Sequence, residues 1–427
     1  MRVPARGAIF NLDLPAWRGD VEAAAPSRFR MKIYALICCL IAPGFVFAQP
    51  GTPLPPVEKA ARACNGFGFK LLAESRKSLP GGNVFQSPVG LALALGMVEN
   101  GAKGETLSQM AQTLQQEGAG LDEINGANKL LLGQLLAPGQ KCALEIANGI
   151  WTQEGANIKA AFVSSAQNTY QAETASADFA DAATVKAIND WVSEKTHGKI
   201  PSMVTAPLER DLRLIVLDAI YFKGAWAVPF DKKLTRDLPF NLADGTSVPH
   251  PRMSQTGRFG YFENAAFQAV LLPYAGRQIS LVVLLPKEGL DKFSQELTLE
   301  NWEQWMAQFK SRQGTVEVPR FKLENQYDLN NQLAALGMPR AFTWQADFGG
   351  ISGEGLMISW VRQKTYVEVN EEGTEAAAVS GVGIRSTVVP RETAPPFTMI
   401  VDRPFYAAIR DNRTGTILFH GAIFDPR

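Results

Sequence analysis

Histidine is scarce in this chain: 427 residues hold only His197, His250 and His420. None sits in a nucleophile motif, and no histidine or cysteine has metal-ligand spacing. Gly350-Ile351-Ser352-Gly353-Glu354 lacks the final glycine of a nucleophile elbow, and Ser193-Glu194-Lys195 is one residue short of a Ser-x-x-Lys pair. Neither an enzyme nor a bound cofactor or metal is expected. An excess of charge of one sign is also missing, since 42 Lys and Arg balance 42 Asp and Glu. Nothing therefore draws the chain to nucleic acid or to an anionic membrane. The N-terminal apolar run, Ile33–Ala42, ends at Pro43-Gly44 and is too short to cross a bilayer. Cysteines number four. Cys38 and Cys39 fall in that apolar run, which leaves Cys64 and Cys142 either to pair in an oxidising compartment or to stay as buried thiols.

The apolar run reads as part of a secretory signal over 28–48. Arg28, Arg30 and Lys32 form its basic region, and Val46-Phe47-Ala48 supplies the cleavage positions. Residues 1–30 precede most of it, and Met31 is an alternative start. Residues 1–48 are set apart as an N-terminal extension and signal peptide. Residues 49–427 form a single domain, expected to be monomeric, free of the membrane, and secreted to an extracellular or periplasmic space.

Apolar residues make up 46% of the chain, and they fall into helical and strand patterns. They recur at helical spacing over 56–78, up to the Gly81-Gly82 break. Ser87 and Pro88 read as N-cap and first residue of a helix over Val89–Glu99. Residues 107–136 read as helix interrupted by Gly118 and Gly120, and Lys186–Gly198 as a helix with Trp191 on its buried side. Leu144–Trp151 is strand-like. Leu214–Phe222 is apolar on both faces, broken only by Asp218. Gln268–Leu272 and Ile279–Leu285 read as paired strands. Val316–Phe321 is another strand, and Leu329–Leu336 a helix stopped by Gly337. No repeat or linker interrupts the series.

The stretch that sets the function runs from Glu371 to Val389. Tyr366–Val369 before it, and Met399–Val401 and Phe405–Ile409 after it, look like strands, and Pro390, Pro395 and Pro396 mark its exit. About thirty residues lie between, longer than a compact domain leaves without a role. Every second residue from Thr374 is small or apolar: Thr374, Ala376, Ala378, Ser380, Val382, Ile384 and Ser386. That is the pattern of a strand with one buried face. Alanine gives such a strand little reason to pair locally. Two readings stand. The segment has two states, a loop and a strand inserted into an existing sheet, or it is a short Ala-rich helix over Glu371–Ala378.

Glu371-Glu372-Gly373-Thr374-Glu375-Ala376-Ala377-Ala378 resembles the hinge of the reactive-centre loop in inhibitory serpins, the serine protease inhibitors. Further blocks carry the resemblance in order: Asn83–Pro88, Gly101–Thr106, Tyr221–Trp226 with Pro229-Phe230-Asp231, Phe342 with Ala346-Asp347-Phe348, and Gly415–Gly421. It covers about 57–427 and resembles a secreted, prokaryotic-like member. It implies an α+β fold with three mainly antiparallel β-sheets, eight or nine helices and an exposed reactive-centre loop over about 371–396. It also implies a suicide substrate, whose partner is a serine or cysteine protease held covalently. The cleaved loop inserts into the central sheet and traps the acyl-enzyme.

The usual hinge-to-bond spacing of the family puts the bait bond at Thr387–Val388, for an elastase-like protease. The strand from Thr374 to Thr387 would span roughly 46 Å. Arg385–Ser386 is the rival, for a trypsin-like protease, and Arg391 the third choice. The resemblance places Trp226 at the top of the central sheet and Ser87 beneath it. Asp218 and Gln363 fall at its middle, where inhibitory relatives carry an Asn and a His. A carboxylate accepts from a glutamine amide, so a crosslink survives in another form, with Asp218 partly buried and its protonation bearing on loop insertion. Residues 105–145 hold only Lys129 and Lys141 as bases, so no polyanion cofactor is implied. The alternative within the family is a non-inhibitory binding protein or a simple protease substrate.

Overall fold

The computed structural model describes residues 54–137, 141–209, 212–374 and 395–427. Nine α-helices lie among them: α1 (Pro56–Ser78), α2 (Pro88–Glu99), α3 (Gly104–Thr113), α4 (Leu121–Leu135), α5 (Ala160–Tyr170), α6 (Ala182–Lys195), α7 (Leu290–Phe293), α8 (Leu299–Met306) and α9 (Asn330–Leu336). The glycines at 118 and 120 separate α3 from α4, as the sequence predicts. Helix α2 begins where Ser87 Oγ accepts from Gly90 N and Pro88 takes the first position. It has no polar stripe, and all its residues are buried. A helix apolar all round must be covered all round, and α2 packs on strands of both sheets.

The first sheet has six strands, in the order β10 (Phe321–Asp328), β11 (Trp360–Val369), β12 (Gly373–Thr374), β4 (Leu214–Ala225), β2 (Cys142–Gln153) and β3 (Glu173–Ala177). The second runs β1 (Val84–Gln86), β15 (Ile417–Ile423), β14 (Phe405–Asp411), β8 (Ile279–Pro286), β7 (Phe267–Pro273), β6 (Ser247–Glu263), β9 (Lys310–Pro319) and β13 (Phe397–Ile400), with β5 (Arg236–Asn241) on β6. Pairing is antiparallel except for β11 with β4, β2 with β3 and β13 with β9. The α+β expectation holds, but the expected three sheets form two hydrogen-bonded networks. The long strand β6 pairs with β5 at one end and β7 at the other, and with β9 between, which joins two of them.

Strand β4 shows why its sequence is apolar throughout. Leu214, Val216, Ile220 and Phe222 face the main core with α2, whereas Ile215, Leu217 and Ala219 face a second cluster with Ile188 and Val192 of α6. Trp191 is half-buried and packs at the edge of that cluster. Cys64 and Cys142 do not pair. Both are buried free thiols, and burial pushes them up to about 12 and about 11.

Candidate functional site

Strands β11 and β4 run side by side from the Trp360–Ile215 pair to the Tyr366–Tyr221 pair. Beyond that point they part, and the chain folds back between them. The reversal is a tight turn: Asn370 N donates to Gly373 O, and Asn370 Oδ1 accepts from the amides of Glu372 and Gly373. Thr374 then lies opposite Val369 on one side and Gly224 on the other. Gly373 has φ +144°, and a Cβ there would meet Gly224 O at 2.0 Å. Only glycine lets the turn approach β4 this closely.

The seat of this short strand is aromatic. Tyr274 is fully buried and its hydroxyl bonds Thr374 Oγ1 at 2.6 Å. Trp226 stacks on Tyr274 at 4.5 Å, and its indole N–H donates to Asn370 O at 2.8 Å. The amides of Trp226 and Phe230 donate to Glu372 O and Glu371 O. Glu371 is 1% exposed. Its carboxylate accepts from Arg320 Nε and Nη2 and from Thr235 Oγ1. Burial pushes this carboxyl up, but the Arg320 and Thr235 bonds outweigh it and hold it below the usual range. Glu372 pairs with Lys232. The loop is thus not exposed at its start. Residues 371–372 are held in the turn and 373–374 in the sheet because the hydrogen bonds from Arg320, Trp226 and Phe230 replace those lost to water. Glu375, Ala376, Ala377 and Ala378, and both bait bonds, Thr387–Val388 and Arg385–Ser386, lie outside the described residues.

A second cluster sits six residues further down β4. Asp218 and Gln363 are directly paired across the β4–β11 seam. Gln363 Nε2 donates to Asp218 Oδ2 and to Ser87 O, while its Oε1 accepts from Ser87 N. One glutamine therefore ties the seam to the start of α2. Asp218 is fully rather than partly buried, since α2 covers the inner face of β4. Burial pushes its carboxyl up to about 7, and the bond from Gln363 only partly offsets this.

The structure thus brings Ser87, Asp218 and Gln363 together, and separately Trp226 with the hinge. Tyr274, Arg320 and Asn148 were not singled out by sequence. Tyr274 reads as part of a turn, and its partner Thr374 is a hundred residues on. Arg320 reads as the end of a strand, with nothing local to show that Glu371 depends on it.

Residues 62–426 match the model of the Serpin family, described as serine protease inhibitors. The chain is 36% identical over 385 residues to the leukocyte elastase inhibitor of Sus scrofa, covering 87% of this chain and all of that one. Among solved structures it resembles Serpin48 of the insect Tenebrio molitor, with a TM-score of 0.78 and 29% identity over 87% of this chain and 99% of that one. Human thyroxine-binding globulin complexed with thyroxine gives a TM-score of 0.79 and 26% identity over 87% of this chain and all of that one. The chain belongs to the serpin family, and its function is inhibition of serine-type endopeptidases. These relatives are animal proteins, and they lend no support to a prokaryotic-like member.

Proposed function

We propose that this serpin traps an elastase-like serine protease at Thr387–Val388 and has no catalytic activity of its own. The seated strand β12 carries the reading. The sheet is parted at its top and already holds the first residues of the hinge in antiparallel pairing with β4. Continued from Gly224 opposite Thr374, that register brings residue 380 level with Asp218. Continued from Val369 opposite Thr374, it brings residue 380 level with Gln363. The two registers agree, so one strand fits the seam on both sides. Ala376, Ala378 and Ser380 would share the face of Thr374, and small side chains suit a sheet that α2 approaches this closely.

Attack on the bait bond forms an ester between the protease and the carbonyl of Thr387 and releases the amine of Val388. Insertion then carries the ester, with the protease attached, along the sheet before water can release it. The energy is held in a native form that is kinetically rather than thermodynamically secure. The name of the Sus scrofa relative supports an elastase as target, which suits Thr387 next to Val388. Export after loss of 1–48, and action as a monomer, complete the proposal.

The test is incubation of residues 49–427 with an elastase, a subtilisin-like protease and trypsin. An SDS-stable complex and a released peptide beginning at Val388 are expected. A peptide beginning at Ser386 would move the target to a trypsin-like class. Loop cleavage without complex from any of them would overturn inhibition in favour of a simple substrate.

A further inference from the structure

We infer that Asp218 is a proton-operated clasp on the central sheet: neutral, it ties β2, β4 and β11 together, and ionised, it loosens the seam for the incoming strand. The inference rests on the insertion mechanism above. It starts from two oxygens. Asp218 Oδ2 accepts from Gln363, but Asp218 Oδ1 has no partner. Directly opposite on β2 stands Asn148, 2% exposed, whose Oδ1 also has no partner. Residues directly opposed in an antiparallel pair share a face, and this face is the inner one. The two residues face each other across the β2–β4 pair, and each carries a buried oxygen without a partner, which costs free energy.

A proton on Asp218 Oδ1 resolves both. The neutral acid donates to Asn148 Oδ1 and still accepts from Gln363 at Oδ2. Gln363 in turn holds both backbone groups of Ser87. The carboxylate, by contrast, is a buried charge without a cation. The groups around it are Gln363 from β11, Asn148 from β2, and Ser87 and Gly90 from the start of α2. None of these titrates, and no charged side chain contributes to the shift of Asp218. A Cβ on Gly90 would lie 2.5 Å from Asp218 Oδ1, so the helix leaves no room for a counter-charge there.

The carboxyl is raised from its ordinary 3.8 to about 7 in the closed sheet. The closed form therefore holds a proton that an open or unfolded form releases. Its stability is full at low pH, falls as pH rises from about 4 to about 7, and is level above that. Insertion of a strand into the seam should accordingly speed up with pH and reach a plateau above about 7. Glu99, at the other end of α2, is also buried without partners and raised to about 7, so it needs its own control.

A synthetic peptide of residues 375–387 added to the intact, uncleaved protein tests this without a protease. Its rate of uptake is followed across about pH 5 to 8.5, where one coupled proton changes a rate by up to about tenfold per pH unit. Wild type is expected to show that slope, and Glu99→Gln to keep it. Asp218→Asn imitates the neutral acid and should be slow and flat. Asn148→Ala removes the acceptor of the proton and should move the midpoint to lower pH, which keeps the test alive if Asp218→Asn does not fold. A flat wild type, an Asp218→Asn that keeps the slope, or an unmoved midpoint in Asn148→Ala overturns the clasp. No uptake at any pH overturns the insertion mechanism itself, a separate and recognisable failure.

Discussion

Thr374 decides at the level of one side chain whether the loop can begin to insert. Its hydroxyl sits on Tyr274 with no exposed surface. Thr374→Arg would force a long cation into the buried place beside the Trp226–Tyr274 stack. The protein should still fold, because the side chain can swing out with its strand. Trapping should suffer, with the number of inhibitor molecules consumed per protease rising at least about tenfold, as a titration of residual protease activity would read. Arg320→Ala acts on the same turn. It leaves the Glu371 carboxylate buried with Thr235 alone, at a cost of about 1–3 kcal/mol. The folded carboxyl lies below its ordinary value, so its contribution is present above about pH 4.5 and is lost as pH falls through the lower folded value. The drop in Tm of Arg320→Ala should thus be large at pH 7 and shrink as pH falls below the ordinary carboxylate value, by calorimetry. Here the sequence was least legible. Glu371-Glu372-Gly373-Thr374 is locally an exposed turn, and its burial depends on a guanidinium 51 residues away.

Strands and helices were easier to read than their partners. Ser87-Pro88 announced α2, and the apolar run with Asp218 in its midst announced β4, because capping and two-sided burial leave local marks. The continuity of β6 left none. Its segments alternate differently at each end, since different neighbours cover them. Strand β13 shows what such non-local contacts do. It has four residues and one paired neighbour, β9. It is held by Phe397, whose ring lies over Gly314, stacks on Tyr261 at 3.7 Å and sits under Arg312, which also donates to Pro395 O. Phe397→Ala should cost about 3–5 kcal/mol and release the far anchor of the loop. The expected result is slow loss of inhibitory activity on incubation without any cleavage, checked by activity and by intact mass together.

The molecule as a whole holds a sheet that can accept one more full strand. Nicking the loop at the bait bond or beyond it, between residues 387 and 394, should let that strand in. The Tm should then rise by about 10 °C or more, since each added kcal/mol moves it by a few degrees. Scanning calorimetry before and after cleavage checks this, and an unchanged Tm would count against stored energy in the native form. At this scale the sequence was most informative. The order of blocks identified the architecture even though it could not show which residues touch.

Consider last the fork where β11 and β4 part around Thr374. Seven residue pairs, Trp360–Ile215 to Tyr366–Tyr221, remain closed below it. Opening therefore proceeds like the teeth of a fastener with the slider already engaged: each pair that separates is replaced at once by pairing to the incoming strand on both sides. No step requires the whole seam to gape. The pairs from the slider down to Gln363–Asp218 govern how fast the strand goes in, whereas pairs at the closed end affect only where it finishes. Weakening Tyr366–Tyr221 should hasten capture of a protease, and weakening Trp360–Ile215 should leave its speed alone.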